Sequence, residues 1–134
     1  MSLARVTDGW MARRPMVLLV DDEIAILQVV SDLLESAGYE VATASDGEAA
    51  LRNLRAREPD AVVLDVMLPH KSGLDVVREM RSDPALARTP VVLMTAVPWS
   101  TDAEPAHGCV VVHKPFTVER LLGAIEGLLR ERTG

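Results

Sequence analysis

Residues 16–23 read Met16-Val17-Leu18-Leu19-Val20-Asp21-Asp22-Glu23, an unbroken apolar run that ends in three acidic side chains. A strand that is apolar at every position is typical of a parallel sheet covered by helices on both faces, because a half-exposed strand would alternate apolar and polar residues. The acids that follow then lie at the carboxyl edge of the sheet, where doubly wound folds bind their ligands. The run therefore predicts an α/β domain that begins at Met16.

Four more strand candidates follow, namely Glu40–Ala44, Ala61–Asp65, Val91–Thr95 and 109–112. Most of them are separated by a stretch with helical spacing of apolar residues. Because parallel strands need crossover connections, this alternation predicts a doubly wound, five-stranded parallel sheet with helices on both faces. We expect the flavodoxin-like strand order 2-1-3-4-5.

The helices are predicted from apolar spacing and from residues that start or stop a helix. Between the first two strands, apolar residues recur at helical spacing and Gly38 follows as a stop signal. Asp46, Ser72 and Thr117 each precede a further helix and can cap it. The segment 97–108 is the exception, because its prolines and glycine leave at most two turns, near 101–107. We therefore expect the fourth of five helices to be short or degraded.

The composition is that of one folded domain. The chain has 134 residues, 49% of them hydrophobic and 25% charged, with a formal net charge of -6 at pH 7. No apolar stretch approaches the ~20 residues needed to cross a bilayer, so we expect a cytoplasmic protein without membrane contact. The acidic balance disfavours direct nucleic-acid binding by this domain. We expect residues 1–15 to be a mobile leader, 16–131 the domain and 132–134 a tail.

Chemically active side chains follow the predicted strands at their carboxyl ends. Asp21 and Asp22 follow the first strand, Asp65 ends the third, Thr95 ends the fourth and Lys114 follows the fifth. Taken singly, each has a plainer interpretation as a helix cap or a turn residue. Taken together, the three carboxylates predict a site for Mg²⁺, and the lysine and hydroxyl beside them suit a phosphoryl group.

With these residues in place, positions 16–131 resemble the receiver domain of bacterial two-component response regulators. The resemblance lies in an acidic pair, a phosphoacceptor motif, a switch residue and a lysine followed by a cis-proline bond. The corresponding stretches here are Leu19-Val20-Asp21-Asp22-Glu23, Leu64-Asp65-Val66-Met67-Leu68-Pro69 with Gly73, Met94-Thr95-Ala96, and Lys114-Pro115-Phe116.

The resemblance implies a role for each site residue. Asp65 would accept a phosphoryl group from a histidine kinase or a histidine phosphotransfer protein. Asp22 would bind Mg²⁺ directly and Asp21 partly through water, with Asp65 and the Met67 backbone carbonyl completing the protein ligands. Thr95 and Lys114 would hold the phosphoryl oxygens. Such a domain is a signalling switch for a downstream effector rather than an enzyme, and its only catalysis is its own phosphotransfer and autodephosphorylation.

Departures from the family pattern concern output and lifetime. Val111 stands where the family usually has a tyrosine or phenylalanine that rotates when the switch residue moves. Met67 and Val97 lie two residues after Asp65 and Thr95, positions that flank the path of the hydrolytic water in this family. Neither side chain can orient water, so we expect a long-lived phosphoryl state.

Three other classes of protein are alternatives to a receiver that works by phosphorylation. A receiver-like interaction domain that works without phosphorylation is the alternative that Val111 favours and the intact acidic site disfavours. A phosphatase of the haloacid dehalogenase type needs a second aspartate two residues after the first, where this chain has Met67. A dinucleotide-binding domain needs a glycine-rich first turn, and Asp21-Asp22-Glu23 is not one.

Overall fold

A computed structural model describes residues 14–96 and 109–133, which form five strands and four helices. In chain order the elements are β1 (Met16–Val20), α1 (Ile24–Ser36), β2 (Glu40–Ala44), α2 (Gly47–Arg57), β3 (Ala61–Asp65), α3 (Gly73–Ser82), β4 (Val91–Thr95), β5 (Cys109–His113) and α4 (Val118–Thr133). Every neighbouring pair of strands is parallel, and the sheet order is β2-β1-β3-β4-β5. The predicted doubly wound sheet is confirmed.

The apolar strands have two buried faces because successive side chains of a strand point to opposite sides of the sheet. In β1, Leu18 and Val20 join a core cluster with side chains of α2 and α3, whereas Val17 and Leu19 join a second cluster with α1 and α4. Strands β3 and β4 are buried at all their positions. This double burial explains why these strands are apolar throughout rather than alternating.

The predicted capping residues act at three helices. The Asp46 carboxylate accepts a hydrogen bond from the Ala49 amide at 2.8 Å, and the Ser72 hydroxyl accepts one from the Asp75 amide at 3.2 Å. The Thr117 hydroxyl accepts one from the Arg120 amide at 3.1 Å. Each bond satisfies a donor that the first helical turn leaves without a partner. At the end of α1, Gly38 has a φ of 103°, a left-handed conformation that favours glycine.

Some predictions fall outside the described residues. Positions 1–13 of the predicted leader, Val97, the short helix predicted near 101–107 and the last tail position, Gly134, lie there. Arg14 and Pro15 are exposed and belong to no helix or strand, and α4 extends to Thr133, into the positions predicted as a tail. None of the helices in residues 14–96 and 109–133 is long and apolar enough to cross a membrane.

Gly73, the first residue of α3, brings the helix start against the end of β3. A Cβ atom at this position would overlap the backbone oxygen of Asp65 and press on the Cα atom of Val66. The Gly73 amide also donates to the Val66 carbonyl at 2.9 Å, which closes the loop between them. The absence of a side chain at Gly73 therefore sets how closely α3 approaches the sheet edge.

We expect Gly73→Ala to lower the free energy of unfolding by roughly 1–3 kcal/mol, because the added methyl group must displace backbone atoms. Gly123→Ala is the matched control, since a Cβ at Gly123 in α4 meets no atom within 4 Å. There the loss of glycine flexibility should stabilise the helix by roughly 0.5–1 kcal/mol. Urea denaturation of both variants measures the difference, and equal effects of the two substitutions would contradict the packing argument.

Candidate functional site

The carboxyl edge of the sheet collects the acidic side chains predicted from the sequence. Asp21 and Asp22 follow β1 and Asp65 ends β3, and these two strands are neighbours. One carboxylate oxygen from each of the three residues lies within 4.8 Å of the other two. Asp21 and Asp65 are buried, whereas Asp22 is exposed. The site is therefore a pocket of negative charge that is open to solvent on the Asp22 side.

Lys114, which follows β5, places its ammonium group between the two buried carboxylates. Its Nζ atom lies 3.0 Å from Asp21 Oδ2 and 3.1 Å from Asp65 Oδ2. Burial acts to lower the pKa of Lys114, whereas the hydrogen bonds to Asp21 and Asp65 act to raise it. The interactions with the two carboxylates outweigh burial, so the pKa of Lys114 lies above its usual value. Lys114 is therefore a fixed positive charge at neutral pH.

The backbone holds this lysine in place independently of its side chain. The Lys114 amide donates to the Thr95 carbonyl at 2.8 Å, which joins the ends of β5 and β4, and the Lys114–Pro115 peptide bond is cis, as the resemblance implied. The ammonium group can therefore change partners without moving its own strand.

Asp65 is held by donors on both of its carboxylate oxygens. Oδ1 accepts from the Met67 amide at 3.1 Å and Oδ2 accepts from Lys114. Burial raises the pKa of Asp65 above its usual value, and the nearby Asp21 carboxylate adds to this rise. The bonds from Lys114 and Met67 oppose it without cancelling it. The Asp65 carboxylate is thus oriented but electrostatically costly, and a bound cation would lower that cost.

Thr95 and Met67 lie at the same edge. Thr95 ends β4 with 2% of its surface exposed, and Asp65 pairs with the preceding residue, Met94. Met67 lies two residues after Asp65, with its amide bonded to that carboxylate and its side chain 65% exposed. The sequence-predicted residues thus meet at one edge of the sheet, with Asp21, Asp22, Asp65 and Lys114 in one cluster.

Two further residues bear on the site. Val111, at the position that the family usually fills with an aromatic residue, is half-buried, pairs with Leu93 and packs against the core beside α2 and α3. Lys71, in the loop after Asp65, was not selected from the sequence, yet its ammonium contacts Glu48 and Glu79. These carboxylates belong to α2 and α3, so no local spacing in the sequence marks the contact.

The donor set suits a hard divalent cation. Magnesium takes oxygen ligands, keeps several waters and is commonly held by one or two carboxylates in an open site. Asp22 gives such a site its solvent-facing carboxylate, and Asp21 and Asp65 lie beside it. The residues that the structure brings together therefore fit Mg²⁺.

A doubly wound sheet with acids and a lysine at its carboxyl edge defines an α/β protein of the flavodoxin-like class, and three of its acids are close enough together to hold a cation. Comparison with known proteins narrows this class. Residues 17–126 match the family described as the response regulator receiver domain. The chain belongs to this family of two-component signalling domains, and the predicted identity is confirmed.

Individual relatives agree with this assignment. The chain is 44% identical over 122 residues to the probable transcriptional regulatory protein TcrX of Mycobacterium tuberculosis, covering 88% of this chain but 50% of that protein. It thus spans about half the length of this relative.

Solved structures give the same result. A response regulator receiver domain protein from Clostridium thermocellum is 31% identical, with a TM-score of 0.80 and coverage of 89% of this chain and 97% of that one. The receiver domain of a Pseudomonas aeruginosa sensor histidine kinase is 27% identical, with a TM-score of 0.79 and coverage of 87% and 98%. That structure contains a magnesium ion coordinated in its active-site cleft.

We expect Asp65→Asn to raise the free energy of unfolding of the Mg²⁺-free protein by on the order of 1 kcal/mol at neutral pH, because it removes a buried charge. The sign with pH follows from the raised pKa of Asp65. The native state binds this proton more tightly than the unfolded state, so the parent loses stability as pH rises from the unfolded pKa through the native one. The advantage of the variant should therefore grow with pH over that window and then level off.

Denaturation at several pH values with a chelator present tests this expectation. Asp32→Asn is the control, because Asp32 is an exposed residue of α1 and its loss should leave stability nearly unchanged. An Asp65→Asn variant that is less stable than the parent at neutral pH would show that the carboxylate stabilises the edge rather than straining it.

Proposed function

We propose that this chain receives a phosphoryl group on Asp65 from a histidine kinase or a histidine phosphotransfer protein and changes its surface in response. The observation that carries the proposal is the position of Asp65, buried at the end of β3 with Lys114 at 3.1 Å and with the oxygens of Asp21 and Asp22 within 4.8 Å. Membership of the receiver family supports this role. The intact acidic cluster argues against an interaction domain that works without phosphorylation.

Each residue of the edge has a defined task in the proposal. Asp22, Asp65 and the Met67 carbonyl hold Mg²⁺, and Asp21 acts partly through water, consistent with its two oxygens accepting bonds from Glu23 and Lys114. When bound, the ion neutralises charge on the transferring phosphoryl oxygens. An Asp65 oxygen attacks phosphorus, a phosphorus–oxygen bond forms, and the phosphorus–nitrogen bond of the donor phosphohistidine breaks.

In this proposal Lys114 and Thr95 bind the oxygens of the phosphoryl group on Asp65. The Lys114 ammonium already contacts Asp65, so it needs only a local shift to hold a phosphoryl oxygen. The Thr95 hydroxyl donates a hydrogen bond to another of these oxygens, which draws the end of β4 toward Asp65. Because Val111 has no aromatic ring to rotate, this switch does not depend on an aromatic side chain at that position.

With Mg²⁺ and a small phosphodonor such as acetyl phosphate, we expect one acid-labile phosphoryl group on the parent and none on Asp65→Asn. Intact-mass spectrometry measures both, and a chelator should abolish the modification. Asp60→Asn is the matched control. Asp60 lies just before β3, at the amino ends of the strands and so away from the site, and its carboxylate accepts a hydrogen bond from the Met16 amide. Modification of the Asp65→Asn variant to the parental level would refute the assignment of the acceptor.

Met67 also bears on how long the phosphoryl group persists. Its side chain is exposed beside Asp65 and has no group that could orient a water molecule. We expect Met67→Asn to speed loss of the phosphoryl group several-fold by supplying such a group, while Met67→Leu leaves the rate unchanged. Following acid-labile phosphate after removal of the donor gives the rates. Equal rates in folded Asn and Leu variants would exclude this position from control of autodephosphorylation.

A further inference from the structure

The loop between β3 and α3, residues 66–72, is attached to two helices through Lys71. The Lys71 ammonium lies 3.2 Å from the Glu48 carboxylate and also contacts Glu79. Glu48 lies in the first turn of α2, and Glu79 lies in α3. One side chain thus joins the loop that follows Asp65 to the two helices on that face of the sheet.

The backbone of Lys71 also packs closely against α2. A Cβ atom on Gly47, the first residue of α2, would overlap the backbone oxygen of Lys71 and press on its Cβ atom. The Lys71 amide donates to the Pro69 carbonyl at 2.8 Å, which tightens the turn before it. The loop therefore lies directly on α2 at Lys71, and the ammonium contacts join it to α2 and α3 at the same point.

Further charges extend the attachment. Arg55 of α2 lies 3.9 Å from Glu79 and 3.5 Å from Asp83, the residue after α3. Hydrogen bonds from Lys71 to Glu79 and Glu48 raise the pKa of Lys71, so its ammonium stays charged. Positive and negative groups therefore alternate from Glu48 to Asp83 and hold α2, the loop and α3 together.

We infer that Lys71 is a positioning residue for the phosphorylation site, because it holds loop 66–72, and with it the Met67 backbone, against Asp65. The inference rests on the proposed function, in which the Met67 carbonyl is a Mg²⁺ ligand. The Met67 amide bonds to Asp65 Oδ1, so the same peptide segment orients the acceptor and supplies a ligand. A ligand on a loop binds well only when the loop is held near its bound geometry.

A purely structural role predicts a different result. The Lys71 ion pairs are partly exposed, with 25% of the Lys71 side chain and 57% and 40% of those of Glu48 and Glu79 open to solvent. Solvent weakens such pairs, so removing the Lys71 charge should change the unfolding transition only modestly. If Lys71 positions the loop, its removal should instead act locally. The Mg²⁺ affinity should fall and amide exchange should quicken at 66–72, while the strands keep the exchange rates of the parent.

The test compares Lys71→Met with Arg78→Met, each in the full chain. Arg78 pairs with Asp75 within α3, so its variant removes an exposed ion pair of the same helix without touching the loop. We expect Lys71→Met to weaken Mg²⁺ binding by roughly tenfold in calorimetry, an effect typical of residues that orient metal ligands. Lys71→Arg should restore most of the affinity, and Arg78→Met should match the parent.

Glu79→Gln provides a second approach, because it weakens the same contact from the helix side and leaves the loop sequence intact. It should also lower Mg²⁺ affinity and quicken loop exchange. Parental affinity and parental loop exchange in both Lys71→Met and Glu79→Gln would overturn the inference. Failure of the parent to accept a phosphoryl group would overturn the proposed function instead, since magnesium binding and loop exchange are measured without a phosphodonor.

Discussion

The contact of Lys114 with two buried carboxylates is the interaction on which the functional edge depends. Asp21 and Asp65 end up close together because β1 and β3 are neighbours, and parallel strands bring their carboxyl ends to one edge. Burial raises the pKa of Asp65, and repulsion from the nearby Asp21 carboxylate adds to this rise. The ammonium between them makes this arrangement tolerable, and the Thr95 carbonyl holds the lysine backbone where the ammonium can reach both.

The rest of the structure holds the strand ends of this edge in position. The two apolar clusters fix the strands from both faces, so the strand ends cannot separate to relieve the repulsion. Gly73 lets α3 begin against the Asp65 carbonyl, and Gly47 lets α2 begin against the loop that follows. A rigid frame thus holds an electrostatically unfavourable group of acids, an arrangement that trades stability for function.

Much of this organisation could be predicted from the sequence because it depends on local patterns. Continuous apolar runs indicate strands buried on both faces, and Asp46, Ser72 and Thr117 mark helix starts through bonds to amides three residues on. The grouping of the candidate site residues could be predicted because each lies at, or just after, the carboxyl end of a strand. Parallel order then brings them to one edge without any knowledge of tertiary packing.

Features that depend on packing between distant segments were less accessible. The Lys71 contacts require knowledge of how α2 and α3 lie beside the loop, and no periodic pattern contains that information. The apolar spacing of α1 likewise predicts a buried face that includes Leu33, yet Leu33 remains 36% exposed beside an apolar groove of about 250 Å³ between α1 and α4. A hydrophobic pattern shows which face is apolar, and only the placement of the neighbouring helix decides how much of it is covered.

The same limit applies to the charge balance of the site, where the ammonium of Lys114 already has two partners. A phosphoryl group on Asp65 would add negative charge that this one ammonium cannot neutralise while keeping both contacts. Because the Lys114 amide is bonded to the Thr95 carbonyl, the change would fall on the side chains of this edge rather than on the backbone that joins β5 to β4.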